Sequence, residues 1–278
     1  MIKGLKRPSR TRAILMLMCG VLLPIRLVPA DQVAALHTQG ELHGFLVLRD
    51  VNGDAIADGD VAQVTRRDRV TTRLVFRFKD GSINEETTVF TQRGTFRLVS
   101  DHLVQKGPSF KHPMDLSVNG LTGQVTVRST DDDGKDKVVT QHLKLPPDLS
   151  NGFVFSVLQN IKSGTPKTTV SMIVATPKPR IVKLVITPDG EDPFFVVGSE
   201  RKATRYVVKI DIGGAAGVVA PLVGKQPPDT HVWLVEGEAP VVIKSEGPMY
   251  EGGPIWRTEL TSPAWSQSPT AERSQRKN

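Results

Sequence analysis

Apolar and polar residues alternate with a period of two along most of this chain. In RVTTRLVFRFK (69–79), Val70, Thr72, Leu74, Phe76 and Phe78 share one face. Arg69, Thr71, Arg73, Arg77 and Lys79 share the other, joined only by Val75. TRYVVKIDI (204–212) sets Tyr206, Val208, Ile210 and Ile212 against Arg205, Lys209 and Asp211 in the same way. One dry face and one wet face mark antiparallel sheet rather than parallel strands buried on both sides. The rhythm predicts further strands over 41–49, 60–66, 82–90, 95–105, 114–118, 124–129, 137–145, 168–175, 180–187, 194–198, 231–236, 240–246 and 254–260. Between them lie KDGS, NGLTG, DDDGKD, PDGED and EGEAP. The Asp-Gly and Asn-Gly pairs among these supply the positive φ angles that tight hairpins need. No β-x-β crossover spacing recurs, which argues against a Rossmann-like fold.

One segment breaks the period. In PPDLSNGFVFSVLQNIKSG, the side chains Leu149, Phe153, Val154, Val157, Leu158 and Ile161 fall on one side of a helix. Asp148 or Ser150 can cap its start and Gly164 can end it, so a helix is expected over 149–162. The expected fold is mainly β: a curved antiparallel sheet or open barrel of about 12 strands with one packed amphipathic helix.

The N-terminus changes how charge is read. MIKGLKRPSRTR is basic, AILMLMCGVLLPI (13–25) is apolar, and Val28 and Ala30 occupy small-residue positions before a cut. This is the layout of a secretory signal cleaved after Ala30. The apolar run spans thirteen residues before Pro24 and Arg26 interrupt it, against the roughly 20 that a membrane anchor needs. Residues 1–30 carry six Lys or Arg and no acid, so residues 31–278 keep 30 basic and 29 acidic side chains. The pI of 9.6 therefore belongs to the export segment, and a concentrated basic footprint for nucleic acid is missing. Cys19, the one cysteine, leaves with the signal, and with it any disulfide or thiol chemistry. The expected organisation is a signal at 1–30, one β domain at 31–262 and a polar, disordered tail at 263–278, with a periplasmic or secreted location and no transmembrane segment in the mature chain.

Candidate chemistry is sparse. DVNGDAIADGD (50–60) spaces Asp50, Asn52, Asp54 and Asp58 as calcium ligands often are. An EF-hand loop, however, wants Gly at its sixth position and an acid at its twelfth, where Ala55 and Val61 stand. A turn between two strands is the simpler reading. No G-x-S-x-G, H-E-x-x-H or phosphate loop is present, and SERK (199–202) matches S-x-x-K no better than SQRK (274–277) in the tail. No metal site, cofactor or catalytic set is assigned. His102 is expected to point inward with Phe96, Leu98, Ser100 and Val104, as a hydrogen-bonded core histidine or, in a hydrolase, a base. GGAAGVVAPLVG (213–224) reads as a buried connection or, more sharply, as an apolar lid or membrane-touching loop.

The stretch HVWLVEGEAPVVIKSEGPMYEGGPIWRTEL (231–260) resembles the ending of a group of uncharacterised exported bacterial β-proteins, a domain of unknown function. The matching positions are Trp233, Pro240, Glu246, Gly247, Pro248 and Tyr250. The resemblance implies no catalytic residues. At fold level the chain is similar to periplasmic lipoprotein carriers and lipocalin-like half-barrels, which would imply a lipid or other apolar ligand held between sheet and helix.

The function expected is that of an exported, non-enzymatic envelope protein binding an apolar or amphiphilic ligand. Its expected lining is Phe76, Phe78, His102, Phe153, Val157, Tyr206, Val208, Trp233 and Trp256. A hydrolase built on His102 and a ligand-free interaction domain are the alternatives. Ligand identity and oligomeric state are not encoded in any motif.

Overall fold

A computed structural model of the chain describes residues 32–130, 133–213 and 227–263. The expected signal at 1–30, most of the glycine-rich stretch 213–224 and nearly all of the tail lie outside the described residues.

Among the described residues, fourteen strands form one antiparallel sheet. The first wing is a meander of β1 (Leu42–Arg49), β2 (Ala55–Arg66), β3 (Arg69–Phe78), β4 (Ile83–Thr91), β5 (Arg97–Lys106), β6 (Met114–Asn119), β7 (Gln124–Thr130) and β8 (Asp136–His142). After a helical turn, α1 (Val154–Leu158), come β9 (Thr168–Val174), β10 (Arg180–Val196), β11 (Ser199–Asp211), β12 (Thr230–Val235), β13 (Val241–Gly247) and β14 (Trp256–Thr261). β14 then pairs with β1, with Phe45 opposite Thr261 and Arg49 opposite Arg257. The strand order therefore runs from β8 through β1 and β14 to β9, and the sheet is not closed.

Although β7 and β9 lie near opposite ends of that order, they share a core. Leu116, Val125 and Val127 of the first wing join Val170, Ile173, Leu184 and Ile186 of the second in one apolar cluster, with Phe153, Val157 and Leu158 among them. Such sharing requires the sheet to roll until its two ends face each other across the helical turn. The edge of β9 is covered as well. Ser150 N donates to Ser171 O (2.9 Å), and Ser171 N donates to Asp148 O (3.2 Å). The Asn151 side-chain amide then imitates a strand, donating to Ile173 O (2.9 Å) and accepting from Ile173 N (2.8 Å). Covering an edge in this way removes a template for pairing with other chains.

The same contacts explain why the helix is shorter than expected. Residues 148–151 are spent on β9, and Gly152 at φ +67° turns the chain out of helical geometry, leaving five helical residues instead of fourteen. The strand count also changes. PDGED does not end a strand; it forms an irregularity between Pro188 and Glu191 inside the long β10. The true hairpin lies at Val197 and Gly198, both at positive φ (49° and 79°), as a two-residue primed turn requires. Beyond Ile186, β10 pairs only with β11, making a two-stranded ribbon.

Asp50 to Asp54 form the turn between β1 and β2. Asp50 Oδ1 accepts from Asn52 N and Asp54 N, both at 2.9 Å, and Gly53 sits at φ +89°. The carboxylate is thus spent on backbone amides, a common role for Asp in turns. Replacing Asp50 with Ala should cost no more than about 1 kcal/mol in urea denaturation, the net worth of exposed hydrogen bonds. Wild-type protein should melt at the same temperature in calcium and in chelator.

Candidate functional site

The curled sheet frames a half-open cavity of about 590 Å³. Its wall on the first wing is set by three cross-strand rows. Gly59, Phe76, Asn84, Gln105 and Met114 make one row; Val61, Leu74, Glu86, Leu103 and Leu116 the next; Gln63, Thr72, Thr88, Asp101 and Val118 the third, in which Gln63 and Thr72 reach the cavity and Thr88, Asp101 and Val118 lie behind it. Gly59 is required because the Phe76 ring lies over it, 2.5 Å from where a Cβ would stand. The opposing wall is apolar, with Met172, Ile173, Val182, Ile210 and Val242 among its side chains.

Two connections border the cavity. The turn after β13 brings Pro248, Met249 and Tyr250 across its end, where Met249 O accepts from Gln105 Nε2 (3.0 Å) and Tyr250 Oη donates to Ser109 O (3.2 Å). Tyr250, Phe110, Phe78 and Trp256 pack edge-on or tilted there, with centroids 5.2–6.1 Å apart. On another side, the segment from Asn151 to Ser156 lines the cavity, with Phe153 stacked on Phe90 at 4.6 Å. Gln159 Nε2 ties this segment to Pro240 O at 3.0 Å.

A β-bulge decides the chemistry of the interior. Val89 pairs with Ser100 and Phe90 with Leu98, so Val99 is an extra residue in β5. An extra residue reverses which side chains face inward beyond it. His102 therefore faces outward, contrary to the expectation from simple alternation. Its side chain is 52% exposed, with Nε2 3.1 Å from Asp115 Oδ1 in a solvent-facing cross-strand pair. Asp101 takes the inward position and is 2% exposed.

Asp101 Oδ1 accepts from Thr88 Oγ1 (2.7 Å), while its Oδ2 is buried without a partner. Gly152 lies directly above; a Cβ there would collide with Thr88 Oγ1 and stand 2.8 Å from Asp101 Oδ1. Glu86, between Leu74 and Leu103 in the adjacent row, faces the cavity. Its side chain is half-buried there. Burial pushes the Glu86 carboxyl well above the ordinary range, and the Asp101 charge pushes it further. Burial also raises Asp101 from 3.8 to about 6, against the Thr88 hydrogen bond and the nearby His102, which lower it.

Of the residues expected to bind ligand, Phe76, Phe153 and Trp256 line the cavity. Phe78, Val157, Tyr206 and Val208 are buried in the surrounding core without reaching it. Trp233 is a correction: Val232 and Leu234 face the core, so Trp233 faces out. There it lies under Lys244 Nζ (3.8 Å from the ring) and donates from Nε1 to Asp192 Oδ2 (2.7 Å). That hydrogen bond, together with Arg205, holds Asp192 below the usual carboxylate range. The contacts belong to an outer ladder of Arg49–Glu259, Arg257–Glu246, Lys244–Glu246 and Arg205–Asp192 running from β1 to β10. Glu86, Asp101, Gln105 and Gly152 were not anticipated from sequence. Among the described residues, no three His, Cys, Asp or Glu side chains come together as a metal site, and no helix is long and apolar enough to cross a membrane.

No family model and no curated protein matches this sequence. Among solved structures, the chain is similar to a β-barrel-like protein of domain of unknown function DUF1849 from Brucella abortus. The identity is 10%, the TM-score 0.43, and the match covers 81% of this chain and 98% of that one.

The buried carboxyls make stability depend on pH with a definite sign. A carboxyl whose affinity for protons is raised by folding stabilises the fold below its unfolded value and loses that contribution as pH rises through the folded value. For Asp101 the window runs from 3.8 to about 6. Asp101→Asn should therefore gain stability relative to wild type between pH 4 and pH 7.5, by on the order of 2 kcal/mol. Urea denaturation of both proteins at the two pH values measures the difference, and surface acids cancel in it.

Proposed function

We propose that this is an exported, non-enzymatic envelope protein that holds an apolar or amphiphilic ligand inside its curved sheet. The observation that carries the reading is the cavity. Packed protein interiors leave few voids larger than a water molecule, whereas about 590 Å³ falls within the ~300–1,000 Å³ typical of small-molecule sites. Its lining is mostly apolar, with polar groups among which Gln63, Thr72, Asn84, Glu86 and Gln105 stand on β2 to β5, the composition such sites share. The basic, then apolar, then small-residue order of residues 1–30 supports export, with the mature chain starting at Asp31, the β domain spanning 31–262 and a short tail following.

A neutral apolar fluorophore such as N-phenyl-1-naphthylamine should bind with an increase in emission. Leu74→Trp, which adds volume to the cavity wall, should abolish that signal while leaving a cooperative thermal melt. Unchanged probe binding in this variant would place the probe elsewhere and remove the cavity from the reading.

Intact-mass measurement of the protein recovered from a bacterial periplasm should give a chain beginning at Asp31. A mass that includes residues 1–30, found in the membrane fraction, would replace export by anchoring.

A further inference from the structure

Building on the cavity as a ligand site, we propose that its ligand carries a protonated amine head, seated against Glu86, with the buried Asp101 behind it and its apolar body along the facing wall. Glu86 has no structural task that would account for it. It stands between Leu74 and Leu103, makes no hydrogen bond or ion pair with any described residue, and faces the cavity. An unpaired acid in such surroundings costs stability unless a partner of opposite charge is supplied. Asp101, 2% exposed beneath Gly152 and with its Oδ2 unsatisfied, does not line the cavity, but its charge acts on Glu86 from behind the wall.

Among the described residues, no cation pairs with Glu86. The cavity's other charged lining residues are Arg180, Lys244, Glu251 and Glu259. Lys244 is engaged with Glu246 and the Trp233 ring, and Glu259 with Arg49, on the outer face. Arg180 and Glu251 are exposed. A cationic ligand head would supply that partner.

Its chemistry follows from what the site offers. A carboxylate or phosphate head would add negative charge beside two acids. A hydroxyl offers one donor and no charge. An ammonium offers three donors and a positive charge, the complement of an unpaired carboxylate. Gln63 and Thr72 border the same end, while Met172, Val182 and Ile210 offer a chain-like body an apolar path.

Isothermal titration of the purified protein at pH 7.5 with dodecylamine, dodecanol and dodecanoate, each below its micellar concentration, tests the inference. Dodecylamine should bind at least about tenfold more tightly than the other two, the scale of one hydrogen bond to a charged group. Glu86→Gln should remove that advantage and leave dodecanol binding unchanged; Asp101→Asn should shift it in the same direction. Urea denaturation confirms that each variant is folded, and the comparison of three heads on wild type stands without either variant. Equal binding of all three, or a preference for dodecanoate, would overturn the amine head and leave the cavity as a ligand site. An amine advantage that survives both substitutions would overturn the assignment to this pair. No binding of any chain would overturn the cavity reading itself.

Discussion

The curl of the sheet depends on one connection. Between β8 and β9 the chain must travel from one end of a fourteen-strand order to the other, and residues 143–167 do so through the space the two wings enclose. Three adjacent residues divide the work. Asn151 replaces a neighbouring strand for Ile173, Gly152 reverses the chain direction at positive φ, and Phe153 fills the gap against Phe90. Each satisfies a different demand: backbone hydrogen bonds at an edge, room above Thr88 and Asp101, and apolar burial. Without them the wings have no shared filling, and the cavity has one wall fewer.

Most of the strand architecture was legible because alternation is a local property. Val70 to Phe78 on one face and the arginines on the other describe β3 as it stands. What could not be read was whatever depended on a partner strand. Val99 looks like any other β-branched residue in a strand, and only its pairing with β4 shows it to be the extra one. That single insertion moved His102 to the surface and Asp101 to the interior. Trp233 misled for a related reason: a large aromatic in a strand suggests core, yet its face is fixed by Val232 and Leu234 on either side. The helix over-reading had another cause, since Leu149 fits a helical stripe but its neighbours bond to β9. Glu86 escaped notice because Asn84, Glu86 and Thr88 are polar where Glu85 and Thr87 are polar too, so neither face of that strand announced itself as inner.

The inner and outer faces of this sheet treat charge in opposite ways. Outside, acids and bases alternate across neighbouring strands and neutralise one another in a solvent that would have screened them anyway. Such pairs add little stability individually, though they discourage alternative registers. Inside, two carboxyls stand together with no base, at a cost that only protonation or a bound cation offsets. The contrast puts the chemical interest of the molecule on its concave side.

The pairing of β1 with β14 has a consequence for how the chain can be assembled. Arg49 and Glu259 meet across this seam at a separation of 210 residues, so its closure entropy is among the largest in the sheet. Until β14 has been made, β1 offers an open row of backbone donors and acceptors in what will become the middle of the sheet. A ribosome delivering this chain from its N-terminus therefore releases the whole first wing with a sticky flank, and only the final strand removes it. A nascent chain of this kind gains from being kept unfolded until synthesis is complete.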